Sequence, residues 1–76
     1  MWTEKNNKLV REFKFKDFSE AWAFLSRVAL LAESHQHHPE IHNSYNTVTI
    51  ALQTHDSGDK VTEKDREMSK IIDKWF

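Results

Sequence analysis

Cysteine is absent from this 76-residue chain, and glycine and proline occur once each, at Gly58 and Pro39. Without cysteine there is no disulfide, no thiolate nucleophile and no Cys-type zinc site. So little glycine and proline, beside an apolar fraction of 38%, excludes a low-complexity or disordered chain. Charge of one sign is missing too: the formal net charge is -1, with basic and acidic residues interleaved. That leaves no basic face for nucleic acid, so no direct nucleic-acid partner is expected. No apolar run approaches the roughly 20 residues that span a bilayer. Met1 to Lys8 lacks the apolar core of a secretory signal, and the expectation is a soluble, cytoplasmic protein with no membrane partner. Seventy-six residues make one domain, 1–76. Below about 80 residues a single core supplies only a few kcal/mol, so oligomerisation is an expected support.

What is present begins with a hairpin, residues 2–5 and 8–16, turning at Asn6-Asn7, since asparagine tolerates positive φ. Leu9, Phe13 and Phe15 alternate onto one face, with Arg11 as a break. Asp17 opens a helix, and Glu20 completes a capping-box pattern. Phe18, Ala21, Trp22, Leu25, Val28, Ala29 and Ala32 form its apolar stripe, and Phe24 and Leu31 widen it while Leu30 lies outside. A stripe that wide implies contact with a second subunit, or a deep groove within one. The helix ends before Pro39, because proline pushes the preceding residue out of the α region. An extended piece at 40–42 leads to a strand over 45–54, in which Val48, Ile50 and Leu52 alternate with Thr47, Thr49, Ala51 and Gln53. Residues 57–60 turn, Thr62 caps a last helix with Asp65 as its third-position acid, and Met68, Ile71, Ile72, Trp75 and Phe76 form that helix's stripe. The expected fold is α+β: a two-layer, antiparallel four-stranded sheet with helices on one face, in the order ββαββα.

Five histidines stand in this short chain. Histidine exchanges protons near neutral pH without a large environmental shift. His37 and His38 lie between the long helix and the sheet, where Pro39 holds His38 extended. Adjacent residues in extended chain project to opposite sides, so the two rings should have different roles. His55 lies just past the strand's C-terminal end and could face His37. Glu33, four residues before His37, could orient that imidazole, and Asp56 could do the same for His55. His35 and His42 read as helix-end or surface histidines. Asp65 has a sufficient role as a cap. Tyr45, about 33 Å from His55 along a straight strand, is structural or reaches a neighbouring subunit. Zinc is the rival reading of so many imidazoles. The spacing is not His-Glu-x-x-His on a helix, however, and no metal is expected. Ser34, Ser44 and Ser57 lack the flanking glycines of a nucleophile elbow.

The residues Glu33-x-x-x-His37-His38-Pro39, Tyr45, His55 and Asp65, in this order and spacing, resemble the signature of the pterin-4a-carbinolamine dehydratases. Phe13-Lys-Phe-Lys-Asp-Phe18, Tyr45-Asn46 and Thr54-His55-Asp56 agree, and the resemblance covers nearly the whole chain. Two departures stand out: typical members are longer at the N-terminus, with a further helix, and many carry tryptophan where Ile41 stands. The resemblance implies dehydration of a 4a-hydroxytetrahydropterin to the quinonoid dihydropterin, a step in recycling tetrahydrobiopterin, with no metal or organic cofactor. It implies proton transfer by His37 and His55, with His38 holding the pterin and Glu33 orienting His37. Backbone groups near Thr54 and His55 would read the pterin's amide edge. It also implies a homodimer or homotetramer. The competing readings are a dehydratase-like scaffold, acting as an assembly or transcriptional dimerisation factor, and a histidine-rich metal carrier.

Overall fold

The structure, a computed structural model, describes residues 1–76. Its elements are β1 (Thr3–Lys5), β2 (Lys8–Lys14), α1 (Phe18–His35), β3 (Glu40–Ser44), β4 (Thr47–Leu52) and α2 (Glu63–Asp73), with a short 3₁₀ turn at His55–Ser57. The four strands form one antiparallel sheet in the order β1-β2-β4-β3. The chain thus leaves β2, crosses through α1 to the edge strand β3, and returns to the centre as β4.

Both hairpins turn through left-handed residues. Asn6 and Asn7 have φ of 53° and 63°, the pair of positive values that a two-residue turn between right-twisted strands needs. In the second hairpin Tyr45 sits in the turn at φ 49°. The expected strand over 45–54 is therefore shorter, and Tyr45 is not on its polar face. The Asn43 amide braces this turn by donating to the carbonyls of Tyr45 (3.2 Å) and Thr47 (3.0 Å), while β3 extends two residues beyond the expected His42.

Register decides which face is apolar. Leu9 pairs with Leu52, Arg11 with Ile50 and Phe13 with Val48, so these six share the inner face. The opposite face carries Thr47, Thr49, Glu12 and His42 and is left open. Phe13, Val48, Ile50 and Leu52 are fully buried and meet Phe24, Leu25, Val28 and Leu31 of α1 and Met68 and Ile72 of α2. Each such side chain contributes about 1.5–3 kcal/mol on burial. Arg11 stays on this face rather than breaking it. Its guanidinium lies over Phe13 (4.5 Å) and Phe76 (5.0 Å) and donates to Asp73 at 2.8 Å.

Asp17 caps α1 as expected, its carboxylate accepting from the Glu20 amide, but the Glu20 carboxylate accepts from the Lys16 amide rather than from the Asp17 amide of a capping box, both at 2.9 Å. Its buried residues are Ala21, Phe24, Leu25, Val28, Leu31 and Ala32. Phe24 and Leu31, expected to widen the stripe toward a partner, are core. Phe18 and Trp22, expected as part of that stripe, are exposed and stacked on each other. The cause is an aromatic cluster: Phe24 lies 4.9 Å from both Phe13 and Phe15, which rotates the helix toward that side. Periodicity weighs all apolar residues alike and carries no such information. α1 stops at Gln36, which takes the left-handed conformation at φ 48°, an unusual place for a residue with a Cβ.

Candidate active site

The reversal at Gln36 sends the chain back under the helix end. The His37 amide donates to the Ala32 carbonyl at 3.1 Å, and the His37 ring is buried between α1 and α2. There its Nε2 lies 2.5 Å from Oδ1 of Asp65, a carboxylate with no solvent exposure at all. The other oxygen, Oδ2, accepts from the Thr54 hydroxyl at 2.7 Å and from the Thr62 amide at 2.8 Å. An ionised carboxylate only accepts. Nε2 of His37 therefore carries a hydrogen, and a neutral ring keeps Nδ1 as the acceptor. The Thr54 proton is spent on Asp65, so in the 2.6 Å contact between the two threonine hydroxyls Thr62 is the donor. One buried carboxylate, fully partnered as burial demands, thus ties together the ends of α1 and β4 and the start of α2.

The next residue turns the other way, as the alternation in extended chain requires. His38 is exposed, and its Nε2 meets Glu33 Oε2 at 2.8 Å. Glu33 was expected to orient His37. It orients His38 instead, because the helix ends at His35 and the left-handed residue breaks the i,i+4 relation. His55 stands in the 3₁₀ turn after β4, with Nδ1 2.5 Å from Asp59 Oδ1. Asp56, the expected partner, is not on that ring. Neighbours in a 3₁₀ turn diverge by about a third of a turn, and the chain folds back only at Gly58 and Asp59, at φ 80° and 57°. Each of the three imidazoles therefore has its own carboxylate.

The three rings line one cleft of about 290 Å³ with Gln53, Thr54, Asp56 and Lys64. A second hollow of about 260 Å³ continues it, sharing His38, Gln53 and His55 and adding Lys8, Glu40 and Ala51. Small-molecule sites start near 300 Å³, so the joined clefts reach that range. A larger hollow of about 510 Å³, between Phe15, Phe24, Trp75 and Phe76, contains no histidine. Pro39 is half-buried at the entrance to β3 and outside the cleft lining. His35 bonds the Leu31 carbonyl in the last turn of α1, and His42 pairs with Thr49 on the open face; neither lines the cleft. No three His, Asp or Glu groups are arranged to hold a metal ion.

The sequence points to the histidines but not to four other contributors. Asp65 reads as a cap from its position, although its place in the signature is a signal. Asp59 stands at i+4 from His55, a spacing that could have been noticed. Gln53 and Lys64 carried no signal, since only the fold brings them to the cleft.

The family model for pterin 4 alpha carbinolamine dehydratase matches residues 1–75. A protein of Rhodospirillum rubrum named for the same dehydratase is 51% identical over 72 residues, 95% of this chain and 74% of its own length. The crystal structure of a transcriptional coactivator/pterin dehydratase from Brucella melitensis superposes with a TM-score of 0.92 at 41% identity, covering 97% of this chain and 80% of that one. A pterin dehydratase-like protein described as a RuBisCO assembly factor of the alpha-carboxysome superposes at 0.79 with 26% identity, covering 99% and 86%. With the family model spanning almost every residue and the ββαββα sheet shared with these relatives, the chain belongs to the pterin-4a-carbinolamine dehydratase family.

Proposed function

We propose that this protein dehydrates a 4a-hydroxytetrahydropterin to the quinonoid dihydropterin, using His37, His38 and His55 and needing no metal or organic cofactor. The observation that carries the reading is the convergence of these three rings, distant in sequence, on one cleft. The reaction breaks the bond from C4a to its hydroxyl oxygen and removes the proton from the adjacent ring nitrogen N5, forming the C4a–N5 double bond. Hydroxide leaves poorly unless protonated. His37, held by Asp65 through Nε2, acts as the imidazolium and gives its Nδ1 proton to the departing oxygen, and water is released. His55 takes the N5 proton. His38, steadied by Glu33, holds the pterin, and backbone groups near Thr54 and His55 read its amide edge. The two proton-transfer rings return to their starting states by exchange with solvent, to which the cleft is open. Each positioned transfer typically supplies 10²–10⁴ in rate.

Assembly belongs to the same reading. Trp22, Leu25, Ala29 and Ile41 line an apolar groove of about 360 Å³ beside the edge strand β3. Exposed apolar surface next to an unpaired strand edge favours self-association, as a homodimer or homotetramer. The same surface favours the second reading, a scaffold that binds a protein partner, in line with the coactivator and assembly-factor descriptions of the two structural relatives.

The test is to generate the carbinolamine enzymatically and follow its disappearance by absorbance with and without the protein. Faster loss than in buffer, abolished in His37→Ala/His55→Ala, is the expected result. A folded protein that gives only the buffer rate rules out the dehydratase reading in favour of the scaffold.

A further inference from the structure

We propose that Asp59 is the positioning residue for His55, selecting the tautomer and ring orientation with which His55 takes the pterin proton; this rests on the dehydratase reading above. The loop that carries His55 is closed at its base by a pair of backbone hydrogen bonds between Thr54 and Lys60, at 2.8 and 3.4 Å. Inside it the Gly58 amide donates to the His55 carbonyl at 3.1 Å. Gly58 and Asp59 then both take left-handed backbone conformations. Glycine does this freely, and aspartate is among the few other residues that visit this region. The Gln53 side-chain amide donates to the Asp59 carbonyl and to the Asn7 carbonyl, both at 3.1 Å, which braces the loop against the β1–β2 turn. The outcome is a carboxylate oxygen 2.5 Å from Nδ1 of His55.

That contact has a chemical consequence. A carboxylate oxygen paired this closely with Nδ1 favours the tautomer that carries its hydrogen there, which leaves Nε2 of a neutral ring as the acceptor. The proton leaving the pterin nitrogen can then go to Nε2, and the imidazolium that forms keeps its counter-charge. Without Asp59 the ring has no partner to select a tautomer, and its side chain, 90% exposed, is free to rotate. The other charged groups lining this cleft and its continuation are Asp56, Lys64, Lys8 and Glu40. Lys8 is already paired with Glu40 at 2.8 Å. None of the four bonds the His55 ring.

An exposed ion pair contributes little to stability, so Asp59→Ala should fold. The decisive measurement is ring ¹⁵N NMR of His55 in its neutral form. Wild type should show the Nδ1–H tautomer, and Asp59→Ala should shift it toward Nε2–H. In the absorbance assay kcat should fall about tenfold with KM nearly unchanged, and Asp59→Glu should recover part of the loss. The expected loss is well below the roughly 10⁴-fold cost of disturbing a buried triad carboxylate, because this pair is solvated. An unchanged tautomer, or an unchanged kcat in an active protein, overturns the assignment. A tautomer that shifts in Asp59→Ala as expected, with no dehydration by the wild-type protein, overturns the dehydratase reading instead.

Discussion

Burial separates the two histidines proposed to transfer protons more sharply than their chemistry does. His37 is 8% exposed and bonded to a carboxylate that no solvent reaches, whereas the His55 side chain is 90% exposed. Removing one partner of a buried pair leaves the other charge uncompensated, at a cost of about 3–5 kcal/mol. Asp65→Ala should therefore lose about that much, and it also strips Thr54 and the Thr62 amide of their acceptor. A domain of this size has a total stability of about 4–11 kcal/mol, so urea denaturation should show a large fall or a chain already unfolded. His55→Ala should shift the same transition by no more than about 0.5 kcal/mol. In the absorbance assay it should lower turnover by about 10²–10⁴. If the His55→Ala protein turns over at the wild-type rate, the role given to His55 is wrong.

At the scale of an element, caps are local and can be tested locally. Asp17→Ala removes the acceptor of the Glu20 amide and should cost about 1 kcal/mol, read as a lower thermal midpoint with the fold retained. Phe24 is a different case. It sits in the aromatic cluster with Phe13, Phe15 and Phe76, so Phe24→Glu buries a charge with no partner. The expected outcome is loss of cooperative unfolding and of near-ultraviolet dichroism, rather than a folded chain that fails to associate. These elements were largely legible in the sequence. Asn6-Asn7, Asp17 and Thr62 announce turns and caps because their chemistry acts on the nearest few peptide groups. The face that α1 buries was not legible, because Phe18, Trp22 and Phe24 are equally apolar and only the sheet's own aromatics choose among them.

For the whole molecule the open question is what lies against Trp22 and Ile41. Both are exposed, at 56% and 44%, and they flank the same groove beside β3. Trp22→Glu with Ile41→Glu should leave the monomer fold intact by circular dichroism, since neither is core. Sedimentation velocity should report a smaller species than wild type at the same concentration. An identical distribution would sink the proposal that this groove joins subunits. No helix is long and apolar enough to cross a membrane.

Local rules acting along the chain determined the order of elements, the caps, the alternation of β4 and the set of residues able to carry chemistry. His37, His38 and His55 could be picked out because their residue type is itself the signal. Tertiary structure alone decided which carboxylate meets which imidazole: Asp65 with His37, Glu33 with His38, Asp59 with His55. Two of these pairings contradict nearest-neighbour expectation, and the third spans 28 residues. The physical reason is that a hydrogen bond depends on the direction of a side chain after the backbone has turned. Those directions were set by left-handed residues at Gln36, Gly58 and Asp59 and by the packing of α2 against α1, neither of which leaves a periodic trace in the sequence.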